Sequence, residues 1–276
     1  MDWTPGNMSN DIEDRRNSGG FAFGGLVGFV VLIVAALVTG HNFFSGRSVQ
    51  SAQQTRSAPS HGAAEDRDAH LISYVLDDVQ QQWTQIFAKQ GKQYRHAKLV
   101  LFRGSTYSGC GTARAATGPF YCPADEKVYI DLDFWDQLRR VGGSTADFAQ
   151  AYVIAHELGH HVQKLMGIEA KVAQLEQREP GERMHLSIDT ELQADCYAGV
   201  WAHSAQARGK VHEADIESAL SAAAAVGDDH LQKMSGHAVS PEKWTHGDAA
   251  QRTAWFKRGL ASGDMASCNT FGGSSR

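Results

Sequence analysis

Hydrophobic positions fall into two regimes along the chain. From Phe21 to Gly40 they are continuous, "FAFGGLVGFVVLIVAALVTG", with no charged residue in the run. That is long enough to cross a hydrocarbon core of about 30 Å as a helix. The run has no polar face, which a helix packed on a soluble core would show, and "TGHNFFSGR" after it offers no small-residue cleavage site. A transmembrane anchor is therefore expected at 21–40, behind a polar tail at 1–20. Arg15 and Arg16 precede the run and Arg47 alone follows it closely, an asymmetry that places the N-terminus inside and the bulk of the chain outside.

From Ser45 to about Ala69 the composition turns to Ser, Ala, Gln and Gly without apolar periodicity, so 41–67 reads as a flexible linker. Beyond it the hydrophobic positions become periodic. Leu71, Val75, Val79, Ile86 and Phe87 recur at near-helical spacing and predict an amphipathic helix over 68–90. "AKLVLFRG" (97–104) and "KVYIDLDF" (127–134) are short, β-branched and aromatic, as strands are, with a Gly-punctuated loop between them. Thr145 is placed to cap a helix running through Met166, where Gly167 would end it. Further helices are expected at 187–207, 212–226 and 248–260. The expectation is an α+β, mainly helical domain over 68–276 with a small β-hairpin or sheet, preceded by one transmembrane helix.

Composition narrows the function classes. A 276-residue chain with 42% hydrophobic content can bury a sizeable core, while a formal charge of -5 and a pI near 6.2 give no basic footprint for nucleic acid. The four cysteines fit an outward-facing domain. Cys110 and Cys122 flank a loop that a disulfide could close, contributing about 3 kcal/mol of loop entropy at that length. Cys196 and Cys268 remain, and two bridges in this pairing are expected of an oxidising compartment; four buried thiols are the cytosolic alternative.

The candidate chemistry lies in "AYVIAHELGHHVQ" (151–163), which places His156, Glu157, His160 and His161 inside an apolar helical run. His156 and His160 are four residues apart, so on a helix both imidazoles leave one face and can hold one metal ion, with Glu157 toward the ion's open side. His161 is rotated about 100° from His160 and reads as a polar neighbour. In "SIDTELQADCYAGVWA", Glu191 and Asp195 repeat the i, i+4 spacing. Glu191 suits a third ligand, and Asp195 an acceptor for a ligand imidazole's second N–H. A His, His, Glu set leaves a zinc ion's fourth position to water, as hydrolysis requires. Glu157 is then the general base that takes the water's proton and returns it to the leaving amine.

At these motifs the chain resembles the bacterial neutral zinc metallopeptidase family of YpfJ-like, single-pass membrane proteins. The resemblance runs through the N-terminal tail and anchor, "SGCG" (108–111), "GPFYCPADEKVYIDL" (118–132), "HELGHHVQ" (156–163), "ELQADCYAGVWA" (191–202) and "HGDAAQR" (246–252). It implies a zincin fold of the Glu-ligand type, distantly similar to thermolysin and to the CaaX-processing membrane proteases, and leaves the substrate open. In "HGDAAQR", Asp248 and Ala249 stand where small hydroxylated residues are expected. A zinc site with Glu157 lacks a second donor for the transition-state oxyanion. His246 is the candidate, with Arg252 six residues on, a spacing that resembles a His and an Arg near the active site of the CaaX-processing proteases. The competing reading has His246 capping a helix and Arg252 paired with Asp195 or Glu191. The functional expectation is a membrane-anchored zinc peptidase cleaving a peptide or protein substrate on the extracytoplasmic side of the cytoplasmic membrane. A non-cleaving extracytoplasmic scaffold that keeps its zinc site is the alternative, against which the presence of Glu157 counts.

Overall fold

The computed structural model describes residues 1–16, 62–114, 118–234 and 246–272. The expected anchor at 21–40 lies outside the described residues, as does most of the expected linker. Among the described residues no helix is long and apolar enough to cross a membrane.

Helix α1 (Ala63–Lys89) carries the first periodic stripe, burying Leu71, Val75, Val79 and Trp83 completely. It begins inside the expected linker. The reason is electrostatic: Glu65 and Asp66 occupy its first turn, where carboxylates stabilise the partial positive charge of a helix N-terminus. Strands β1 (Ile12–Asp14), β2 (Lys98–Phe102), β3 (Ser105–Ser108), β4 (Gly111–Arg114), β5 (Phe120–Cys122) and β6 (Lys127–Asp131) form two sheets. The larger has the order β1-β2-β6-β5, parallel except for β5, and β3 with β4 is an antiparallel hairpin. Strand β2 reads as a continuous apolar run because both faces are covered. Leu99 and Leu101, in register with Val128 and Ile130, face the helical core, while Val100 and Phe102 pack with Tyr129, Ala113 and Cys122 on the other side.

Two expectations change here. The loop expected between 104 and 127 contains β3, β4 and β5. The polar tail is part of the domain over its first 16 residues: β1 pairs with β2, with Ile12 opposite Leu99 and Asp14 opposite Leu101. A three-residue strand leaves no hydrophobic period to detect, and its neighbours are polar because they bond to charges. Asp11 accepts from Lys98 at 2.7 Å and from Gln80 at 3.1 Å, and contacts His96 at 2.8 Å. Trp3 donates its indole N–H to Asp147 at 2.8 Å under the Arg67 guanidinium.

The remaining chain is helical: α2 (Phe134–Arg140), α3 (Asp147–Leu165), α4 (Ile168–Arg178), α5 (Arg183–Ala207), α6 (Glu213–Ala225), α7 (Asp228–Met234) and α8 (Ala249–Ser262). The strand expected to 134 ends at Asp131, and the helix expected from a Thr145 cap starts one residue later, after Ala146. Helices α5 and α8 touch backbone to backbone. A Cβ on Gly199 would fall 2.1 Å from the Phe256 carbonyl oxygen, and one on Gly259 would fall 2.0 Å from that of Cys196. Asp248, at the departure noted in "HGDAAQR", supplies the α8 N-cap by accepting from the Gln251 N–H at 2.7 Å, while the Gln251 side chain accepts from the Asp248 N–H.

Candidate metal centre

Helix α3 is enclosed on nearly every side, which explains why its titratable residues are buried. Gly159 lets it approach α5 closely, since a Cβ there would lie 3.1 Å from the Ala194 backbone. This brings "HELGH" against "ELQAD". Nε2 of His156 lies 3.3 Å from Oε2 of Glu191, and Nε2 of His160 lies 3.5 Å from its Oε1. One ligand atom from each of the three lies within 4.8 Å of the others. Ligand atoms about 2.0–2.1 Å from a tetrahedral ion are themselves roughly 3.3 Å apart. The spacing and the two-nitrogen, one-oxygen donor set therefore fit zinc.

Both ligand imidazoles are held by their other nitrogen. His156 Nδ1 is 2.8 Å from Asp195 Oδ1, which makes it the donor and leaves Nε2 to the ion. His160 Nδ1 is 2.9 Å from Gln163 Oε1. The Gln163 amide is oriented in turn by donating to the Thr190 carbonyl at 2.8 Å and to Gln193 Oε1 at 3.0 Å, and Gln193 donates to the Cys268 carbonyl at 2.9 Å. Gln163 was legible only as part of a helix. Its spacing of three from His160 was the available signal.

Asp195 is fully buried and bears the most partners. The Arg252 guanidinium meets it with two bonds of 2.9 Å, and the Tyr152 hydroxyl donates to it at 2.5 Å. Burial alone would raise its pKa; the Arg252 and His156 charges overcome this and hold it at about 2. Arg252, expected as a catalytic candidate or an ion-pair partner, takes the second position. It lies beside the cleft but commits both its Nε and Nη2 to Asp195. Burial would likewise depress His156, yet without an ion the Asp195 and Glu191 carboxylates push it up to about 10. Glu191 is held well below the carboxylate range, its burial outweighed by the His160 and His156 charges. Glu157 is 7% exposed, and burial pushes its carboxyl up.

These groups open onto a cleft of about 620 Å³ lined by Phe120 and Tyr121 of β5, Val153, Glu157, His160 and His246. His246 stands half-exposed on its rim. Asp228 accepts from its backbone N–H at 2.6 Å and lies 3.3 Å from its Nδ1, and this carboxylate raises the imidazole's pKa. His161 plays a supporting part. Fully buried and held neutral by that burial, it donates from Nε2 to the Arg95 carbonyl at 2.6 Å and accepts from the Tyr121 hydroxyl at 2.9 Å, tying β5 to α3. Both expected disulfides, Cys110–Cys122 and Cys196–Cys268, are formed, with Cα separations of 5.8 and 5.6 Å.

A buried helix bearing His-Glu-x-x-His, a Glu from a second helix and a cleft beside them are the elements that zinc hydrolases of the Glu-ligand class combine. The chain belongs to the neutral zinc metallopeptidase family: residues 1–271 match the family described as "Putative neutral zinc metallopeptidase". It is 47% identical over 287 residues to the "Uncharacterized protein YpfJ" of Escherichia coli (strain K12), covering 99% of both chains. It is 44% identical over 189 residues to the "Uncharacterized protein Rv2575" of Mycobacterium tuberculosis (strain ATCC 25618 / H37Rv), covering 64% of this chain and 63% of that one. No solved structure matches it significantly.

Proposed function

We propose that this protein is a zinc metallopeptidase that hydrolyses peptide bonds, held at the membrane by residues 21–40 with its domain on the extracytoplasmic side. The observation that carries the reading is the donor triangle of His156, His160 and Glu191, spaced for a tetrahedral ion, with Glu157 beside it in a cleft of about 620 Å³. Strand β5 is an edge of the sheet and lines the cleft. An extended substrate can add along it through main-chain hydrogen bonds.

Zinc, when bound, supplies a Lewis acid that polarises the scissile carbonyl and lowers the pKa of water toward ~7. Glu157 accepts the proton of the attacking water on a carboxylate oxygen and passes it to the leaving amine; its raised pKa brings acceptance and return closer in energy. His246, on the cleft rim with Asp228 beside its Nδ1 and raising its pKa, can offer an N–H donor to the carbonyl oxygen as charge develops on it. Asp195, fixed by Arg252 and Tyr152, holds His156 in the tautomer that presents Nε2. The two disulfides support an oxidising compartment. The test is an unbiased peptide-cleavage profile of the purified full chain. Cleavage abolished by a chelator and restored by zinc is expected; cleavage that persists through complete zinc removal overturns the reading.

A further inference from the structure

The amides that hold His160 form a chain ending outside the two helices that carry the metal site. Nδ1 of His160 meets Gln163 Oε1, Gln163 Nε2 donates to Gln193 Oε1, and Gln193 Nε2 donates to the Cys268 carbonyl, at 2.9, 3.0 and 2.9 Å. Gln163, Gln193 and Cys268 are all buried, so a bond lost here leaves a desolvated amide unpaired. A carbonyl can only accept, whereas a glutamine amide donates from one side and accepts on the other. The Cys268 carbonyl therefore sets the direction of Gln193, whose oxygen then faces the Gln163 NH2. The Thr190 carbonyl, 2.8 Å from Gln163 Nε2, fixes the same direction at the near end. The Gln163 oxygen is left for His160 Nδ1, which becomes the donor and presents Nε2 to the ion. Were Gln193 turned over, two NH2 groups would face each other with no acceptor between them.

What fixes the Cys268 carbonyl is the Cys196–Cys268 bond. Cys268 ends the short 3-10 turn Met265–Cys268, the kind of terminal segment that frays unless tied down. Gln193 and Cys196 lie about one turn apart on α5, on one face. Cys268 meets that face with both of its functional groups, its sulfur bonded to Cys196 and its carbonyl accepting from Gln193. Just beyond, the Thr270 hydroxyl donates to the Asp189 carbonyl of the same helix at 2.6 Å.

We infer that the Cys196–Cys268 disulfide is a positioning element of the metal centre: by seating the Cys268 carbonyl on Gln193 it orients His160, so that closing the bond raises zinc affinity. The inference rests on reading His156, His160 and Glu191 as a zinc site. Closure takes two electrons and two protons from the two thiols, accepted by an incoming disulfide that leaves as a dithiol. The other bridge has no such connection. Cys122 packs with Val100, Phe102, Ala113 and Tyr129 in the smaller apolar cluster, and Cys110–Cys122 serves as the control.

Zinc affinity of the purified full chain is measured by competition with a chromophoric chelator, well below the melting temperature, with folding followed by circular dichroism. Cys196→Ala/Cys268→Ala and, separately, Gln193→Met are each expected to lose about 10-fold in affinity, the scale of a partner that orients a ligand. Combined, they should lose no more than either alone, because both cut one relay. Cys110→Ala/Cys122→Ala should keep wild-type affinity. A folded Cys196→Ala/Cys268→Ala chain with wild-type affinity, equal losses from the two cysteine pairs, or losses that multiply with Gln193→Met would each overturn the inference. Should the chain without the bond fail to fold, Gln193→Met decides, since it keeps the bond and cuts the relay beside it: wild-type affinity there overturns the inference and a 10-fold loss supports it. A wild type that binds no zinc overturns the metal-site reading and this inference with it, whereas equal affinity in wild type and variant overturns the inference alone.

Discussion

Replacing Arg252 with Met isolates what the buried cation does for the metal centre. Arg252 is 3% exposed and Asp195 0%, so the change leaves a carboxylate in the interior with only the Tyr152 hydroxyl and His156 as partners. Removing one member of such a pair typically costs about 3–5 kcal/mol, because the survivor keeps its desolvation penalty. The depression of Asp195 from 3.8 to about 2 corresponds to roughly 2.5 kcal/mol from all its partners net of burial, at ~1.36 kcal/mol per unit. The two figures agree in order of magnitude. For a domain of this size, each kcal/mol moves Tm by about 2–4 °C, so Arg252→Met should lower it by roughly 10 °C. The sign with pH follows from the depressed carboxylate. Its contribution is fully present above the unfolded-state value near 3.8 and is lost as pH falls through about 2. In the variant Asp195 titrates higher, and acid unfolding should begin at a higher pH. Because Asp195 fixes the His156 tautomer, zinc affinity should also fall by about 10 to 100-fold. Calorimetry across pH and competition with a chromophoric chelator measure both quantities. A variant within 2 °C of wild type, by a cutoff of roughly one kcal/mol, and with unchanged zinc affinity would refute the role given to the Arg252–Asp195 pair.

Gln163→Met should weaken zinc binding by about 10-fold or more, because His160 loses the acceptor that orients it; wild-type affinity in a folded variant would exclude Gln163 from that task. With His156 held protonated up to about 10 in the ion-free protein, zinc binding near neutral pH must displace a proton. Affinity should then rise by about 10-fold per pH unit from 6 toward 9, and titration calorimetry in buffers of different ionisation enthalpy should find about one proton released. No release would contradict it. A form in which residues 1–16 are joined by a short Gly/Ser linker to 62–276 should melt above residues 62–276 alone, since only the former retains β1. Equal melting temperatures would show that the N-terminal segment contributes no stability.

The candidate metal-site residues were legible as two pairs, each related within itself by helical periodicity, with no local pattern joining one pair to the other. His156 to His160 and Glu191 to Asp195 are each one turn apart, and an apolar helix carrying carboxylates and imidazoles has few reasons to exist other than chemistry. The partners that orient the ligands were harder. Arg252 could be named, but its choice of Asp195 over a substrate depends on Gly199 and Gly259 bringing α8 onto α5, which no local pattern reveals. The same holds for Gln163, whose carbonyl is aimed by Thr190 and Gln193. Strand β1 was invisible for a different reason. Its stabilisation comes from charges on β2, β6 and α1, so its own residues look like a solvated tail.

The most direct test of the central claim compares wild type with Glu157→Gln, following zinc content and hydrolysis of a confirmed peptide in the same preparations. About one zinc per chain in both, with turnover reduced by about 100-fold or more in the variant, is expected of a general base beside the ion. Wild-type turnover from a zinc-loaded Glu157→Gln protein, or wild type that holds zinc and cleaves no peptide, would contradict it.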